Sequence, residues 1–268
     1  MPRRVGRTGP SDRVSSSPVT EIAESAASGH VADAYAEVRR VLGSTFVPTL
    51  YRVLAPYPLA LERAVAQLES VVALAEATGF SEAACADALR SATGSASSPG
   101  TGATLDITSA GRAVLDRYRA ANPLNLLLCL RLLGTSTPGW PAVMEPPLPA
   151  PGDGPRPLLA DVRECHGGVV TPGLWRELAD LPDDASRLWR WVRERACIDA
   201  LHASATRVRL IASRTLEQAG YGAPDTDVTQ LLPPEASTLL AWFPTGISTM
   251  IVEAEWMFAA TNTHEETP

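Results

Sequence analysis

Val38–Pro58 reads VRRVLGSTFVPTLYRVLAPYP, and 124 residues later (Pro172 minus Pro48) Val162–Pro182 reads VRECHGGVVTPGLWRELADLP. Laid over each other without a gap, Val38-Arg39 falls on Val162-Arg163, Gly43 on Gly167 and Pro48 on Pro172. Leu50 falls on Leu174, Arg52 on Arg176, Leu54-Ala55 on Leu178-Ala179 and Pro58 on Pro182, and Tyr51 meets Trp175 in kind. Agreement of this length marks a duplicated unit. The same shift lays a helix from Asn122 over one from Gly246. The expected architecture is all-α, with two pseudo-symmetric helical repeats packed into one compact unit about a twofold axis. A site in such an arrangement lies between the halves, where helices of both contribute.

Working outward, helical periodicity predominates and strand-like alternation is absent over any useful length. Val31–Leu42 places Val31, Ala34, Tyr35, Val38, Val41 and Leu42 on one stripe. Helices are predicted over Thr49–Ala55, Leu59–Thr78 (ended by Gly79), Glu82–Ala92 and Thr108–Arg119, with Thr108 or Ser109 as N-cap. Pro123 is read as the start of a separate apolar helix ending near Leu133. In the second half the reading is Leu158–Cys165, Gly173–Leu181, a long Asp183–Gly220 helix bent or broken once, Pro233–Phe243, and Ile247–Ala260. Thr93–Gly102 reads as a flexible loop. The resulting division is a flexible tail 1–20, a first repeat 21–134, a Pro/Gly-rich linker 135–156, a second repeat 157–262 and a tail 263–268.

Composition narrows the function classes. The chain has 268 residues, 45% of them hydrophobic, enough for a sizeable core. A net charge of −7 speaks against a nucleic-acid surface, which needs a basic patch. All the basic residues are arginine, so Schiff-base and lysine-base chemistry is excluded. Cys85, Cys129, Cys165 and Cys197 form no CxxC pair; Cys129 reads as a buried thiol, and the set points to a reducing, cytoplasmic setting. No apolar segment follows the basic N-terminus, so no secretory signal is expected. Pro123–Leu133 and Ile247–Ala260 are too short and too interrupted to span a bilayer, so no membrane partner is expected.

Three segments carry a resemblance: AYAEVRRVLGSTFVPTLYRVLAPYP (34–58), ANPLNLLLCLRLL (121–133) and HGGVVTPGLWRELADLP (166–182). They resemble the group I 2-haloacid dehalogenases, the DehI or "halocarboxylic acid dehydrogenase" family, over about residues 20–262. The resemblance implies an all-α fold of two repeats, no metal or organic cofactor, and a short 2-haloalkanoic acid as substrate. It implies a hydrolase acting on carbon–halide bonds, in which an Asp and an Asn hold a water that attacks C2 directly. The carboxylate takes the proton and the amide sets the water's direction. In Tyr118-Arg-Ala-Ala-Asn122-Pro123, Asn122 matches the family's Asn. Phe46 matches an aromatic on the halide side, and Thr49 stands where a second aromatic is usual. The chain departs from the family at the Asp, where Leu174 stands, with Gly173 at a neighbouring Ser position. GGVVTPGLWR (167–176) contains no acid at all. The family's general base is therefore missing.

Each candidate has a plainer alternative. Asn122 positions a water, or caps a helix beginning at Pro123. Arg52 and Arg176 clamp a substrate carboxylate, or tie helices to acids such as Glu37 or Asp161. His166 substitutes as general base, or is a helix-end histidine. Glu253 and Glu255 sit in an apolar helix on different faces, an inward one acting as a substitute base or forming an interfacial ion pair with an arginine such as Arg52 or Arg176. The tryptophans read as core, although Trp189 and Trp191 cannot face one core from a straight helix. Two functions stay open: a dehalogenase acting on a small carboxylic acid, and a non-dehalogenating helical protein that binds a small molecule or a partner. Self-association as a homodimer is also open.

Overall fold

The computed structural model describes residues 20–94, 105–134, 157–166, 170–195, 198–221 and 228–261. Residues 1–19 and 263–268 of the expected tails, the Pro/Gly linker, Cys197 and residues 95–102 of the Gly/Ser-rich loop lie outside these. Among the described residues there is no strand. The first half holds α1 (His30–Leu42), α2 (Thr49–Leu54), α3 (Pro58–Thr78), α4 (Phe80–Gly94) and α5 (Ser109–Leu133). The second half holds α6 (Leu158–Cys165), α7 (Gly173–Leu178), α8 (Pro182–Arg195), α9 (Ile198–Gln218) and α10 (Pro234–Thr261).

The local reasons match the sequence patterns. In α1 the buried residues are Val31, Tyr35 and Val38, spaced by four and three so that they share one face. Gly43 ends α1 at φ 59° and Gly79 ends α3 at φ 62°, left-handed positions at which a side chain would be strained. Thr108 caps α5, its hydroxyl accepting from the Gly111 N–H at 3.1 Å. The 124-residue offset is seen at α2 and α7. Thr49–Leu54 and Gly173–Leu178 differ by it at both ends, and Pro48 and Pro172 each precede their helix. Pro58 and Pro182 open the helices that follow. No described helix is long and apolar enough to cross a membrane.

The proline reading needs correction. Pro123 does not begin a helix; it lies inside α5, and Pro244 lies inside α10. A proline within a helix removes one backbone bond, and the residue before it is biased out of the helical region. Packing overrides that preference. α5 is buried at 121–123 and 125–130, α10 at 246–257, and these two helices make the most extensive contact in the molecule. Asn122 is therefore mid-helix, and its side chain is not a cap. The expected bend or break in the long second-half helix would fall between α8 and α9, at residues 196–197, which lie outside the described ones.

One hydrophobic core runs through both halves, from Val31 to Met257. Polar ties cross between them as well. Asp184 of α8 accepts from the Thr108 N–H (3.1 Å) and hydroxyl (2.5 Å), and the Trp256 indole donates to the Ala88 carbonyl (2.9 Å). Trp189 and Trp191 are both buried. The reason is that α8 is covered by α6, α7 and α10.

Candidate functional site

The first residues of α2 and α7, Thr49 and Gly173, lie 124 residues apart, and they meet at Tyr118 of α5. A Cβ placed on Gly173 would lie 2.9 Å from Tyr118 Oη and 3.1 Å from Thr49 Oγ1. Phe46, in the turn before α2, stacks on the Tyr118 ring with centroids 4.9 Å apart. One turn along α5, on the same face, stands Asn122, 3% exposed, its Nδ2 without a hydrogen-bond partner. One turn into α2 and α7 come Arg52 and Arg176. Arg52 Nη2 (2.6 Å) and Arg176 Nη1 (2.8 Å) both donate to the same oxygen, Glu21 Oε1. Arg176 Nη2 also donates to Thr49 Oγ1 at 2.5 Å. Phe46, Thr49, Arg52, Gly173 and Arg176 are thus drawn into one cluster around Tyr118 and Glu21.

The charges in this cluster follow from its partners. Burial disfavours the charged form of Glu21, but Arg176 and then Arg52 outweigh it, holding the carboxyl below its ordinary pKa. Burial pushes the Tyr118 hydroxyl well above its ordinary value, and the nearby Glu177 carboxylate, which it hydrogen-bonds, adds to the shift. Glu177 is in turn ion-paired with Arg117. Tyr118 therefore stays a neutral donor.

The other candidates lie elsewhere. His166 caps α6 with its ring buried. Nδ1 faces the Val162 carbonyl at 2.8 Å and Nε2 faces Glu253 Oε2 at 3.1 Å, and the Trp175 indole donates to that same oxygen at 3.2 Å. Burial favours the neutral ring, yet the Glu253 carboxylate and these hydrogen bonds hold the pKa above its ordinary value. Both ring nitrogens are engaged within the protein, one by a backbone carbonyl and one by Glu253, which argues against His166 as a base directed at a substrate. Neither Glu253 nor Glu255 pairs with Arg52 or Arg176. Glu255 accepts from Arg119 at 2.7 and 3.0 Å, and Glu253 from His166 and Trp175. Glu37 pairs with Arg40, and Asp161 accepts from Trp189. Cys129 is fully buried, its thiol pushed well above its ordinary pKa by burial. Among the described residues no group of three or more His, Cys, Asp or Glu is assembled that could hold a metal ion.

Three solved structures resemble this arrangement. A D-2-haloacid dehalogenase mutant in complex with D-2-CPA has a TM-score of 0.66 at 15% identity, covering 91% of this chain and 96% of that one. A D-2-haloacid dehalogenase in complex with L-LA has a TM-score of 0.64 at 13% identity over 91% and 94%. A further mutant of such an enzyme has a TM-score of 0.63 at 15% identity. The chain has the haloacid dehalogenase fold. No protein-family model and no curated protein matches it.

Leu174 and Gly173 stand where the resemblance expects the Asp and a neighbouring Ser. Leu174 is fully buried and belongs to the hydrophobic core. Gly173 leaves just the space that the Tyr118 hydroxyl takes up. Gly173→Ala forces the stacked, buried Tyr118 aside and lowers stability by about 1–3 kcal/mol, the usual cost of overpacking. Thermal unfolding followed by circular dichroism measures this, and an unchanged midpoint would mean that the ring yields freely.

Sequence reasoning did not single out Glu21 or Tyr118. The spacing of Tyr118 and Asn122, four apart on one helix, was a usable signal for the tyrosine. Glu21 sits at the edge of the expected tail, and nothing local marks it.

Proposed function

We propose that the chain is a member of the 2-haloacid dehalogenase family that binds a short carboxylic acid bearing a small C2 substituent, without the acid that activates water. The observation carrying this reading is that Arg52 and Arg176, one from each half, converge on a single carboxylate oxygen. Forked guanidinium donors suit a carboxylate. Phe46 and Tyr118 supply an aromatic wall for the C2 substituent, and the Asn122 amide supplies a buried donor. Position 174 offers no proton acceptor, and loss of a general base lowers rate by about 10²–10⁴.

A second reading is hydrolytic removal of halide from 2-haloalkanoic acids by a directly attacking water. It is favoured by one observation, the unpartnered Asn122 Nδ2, a group able to hold that water. Incubation with each enantiomer of 2-chloropropionate, measuring both binding and free chloride, separates the two. The expected result is saturable binding with chloride at the buffer blank. Chloride above the blank that disappears in Asn122→Ala establishes the second reading instead, and absence of any binding removes both.

A further inference from the structure

The carboxylate that fills the arginine pair belongs to the chain itself, and it fits imperfectly. A guanidinium meets a carboxylate best through two parallel N–H bonds. Glu21 engages Arg52 through Nη2, while Arg52 Nε is buried without a partner. The same Glu21 oxygen must also serve Arg176. Two cations therefore share one anion, with a buried donor left over on Arg52 and another on Asn122.

Glu21 is delivered by a strap running from residue 20 to α1, and the strap's own fastenings do not involve the Glu21 side chain. The Ile22 N–H donates to the Arg52 carbonyl at 3.0 Å, and the Tyr35 hydroxyl donates to the Ile22 carbonyl at 2.7 Å. Glu24 accepts from Arg39 and from the Val47 N–H, both at 2.8 Å. Rotation of the Glu21 side chain would free both arginines with these four bonds in place.

We propose that Glu21 is a built-in stand-in for the carboxylate of the guest, and that a short carboxylic acid binds by displacing it from Arg52 and Arg176. This rests on the reading of the cluster as a carboxylic-acid site. A guest engaging Nε and Nη2 of Arg52 together satisfies a donor that Glu21 leaves over. With Glu21 still on the strap, two carboxylates then balance the two guanidinium groups. Glu21 therefore sets the affinity of the site and rejects weakly binding anions.

The test titrates both enantiomers of 2-chloropropionate, and propionate, into the wild-type protein, Glu21→Gln and Glu21→Ala by calorimetry. The expected result is a Kd lower by about tenfold or more in both variants, a factor of ten being 1.4 kcal/mol. Adding Arg176→Ala to Glu21→Gln is expected to abolish the gain. If the wild type binds these acids and neither variant binds them more tightly, Glu21 is not a stand-in and the carboxylic-acid reading stands. If none of the proteins binds any of the acids, both fall. Glu21→Gln keeps the side chain's shape, so it decides the matter should Glu21→Ala fail to fold.

Discussion

Glu253→Ala is expected to destabilise the protein by about 3–5 kcal/mol, the cost of leaving one partner of a buried ion pair alone. The residue lies in α10 at 2% exposure and holds together three elements. Its Oε2 faces His166 at the end of α6 and accepts from Trp175 of α7. Without it a buried imidazole and a buried indole N–H lose their common acceptor. The urea midpoint measures the loss. A pH series supplies the second half of the prediction. His166 has a folded-state pKa raised above the value of about 6.5 that applies in the unfolded chain. Its contribution is therefore fully present below about pH 6.5 and is lost as pH rises through the folded-state value. Wild-type stability should show this decline as pH rises above about 6.5, and Glu253→Ala should flatten it. A mutant as stable as wild type would show that the pair contributes little to holding α6 and α7 on α10.

The double replacement Arg52→Ala with Arg176→Ala is expected to abolish binding of short carboxylic acids, a loss on the order of 100-fold or more. Both arginines must go, because removing one weakens the hold on Glu21 as well as on the guest, and the two effects offset each other. Arg40→Ala is the control. Arg40 is exposed and pairs with Glu37 and Glu69 at the surface, so its loss changes net charge without touching the cluster. Equal loss of binding in the control would assign the effect to long-range charge. Retention of binding in the double variant would place the acid somewhere else.

Much of this arrangement was legible because the decisive signals are local. Pro48 and Pro172 precede short helices with the same Leu, aromatic and Arg order, so the sequence alone aligns α2 with α7 at an offset of 124 residues. That alignment also made Arg52 and Arg176 mates, and they do reach a common carboxylate. The helix start expected at Pro123 and the gap expected between Phe243 and Ile247, around Pro244, are absent because the core, not the local backbone rule, decides there. Residues on both sides of each proline are buried in the α5–α10 contact, and that burial outweighs one missing helix bond. What stayed hidden were the partners. Glu21 is 31 residues from Arg52 and 155 from Arg176. His166 and Glu253 each stood out as odd, one beside a glycine pair and one in an apolar helix, but they are 87 residues apart. Only the tertiary fold shows that each explains the other.

The most direct test of the carboxylic-acid site is a crystal structure of the protein grown with 2-chloropropionate. The expected density is an intact 2-chloropropionate with its carboxylate on Arg52 and Arg176, its C2 substituent against Phe46 and Tyr118, and the Asn122 amide alongside. A 2-hydroxy acid in that position would show that the chain supplies a base this account denies it. Density for the acid elsewhere, with Glu21 still on both arginines, would contradict the site itself.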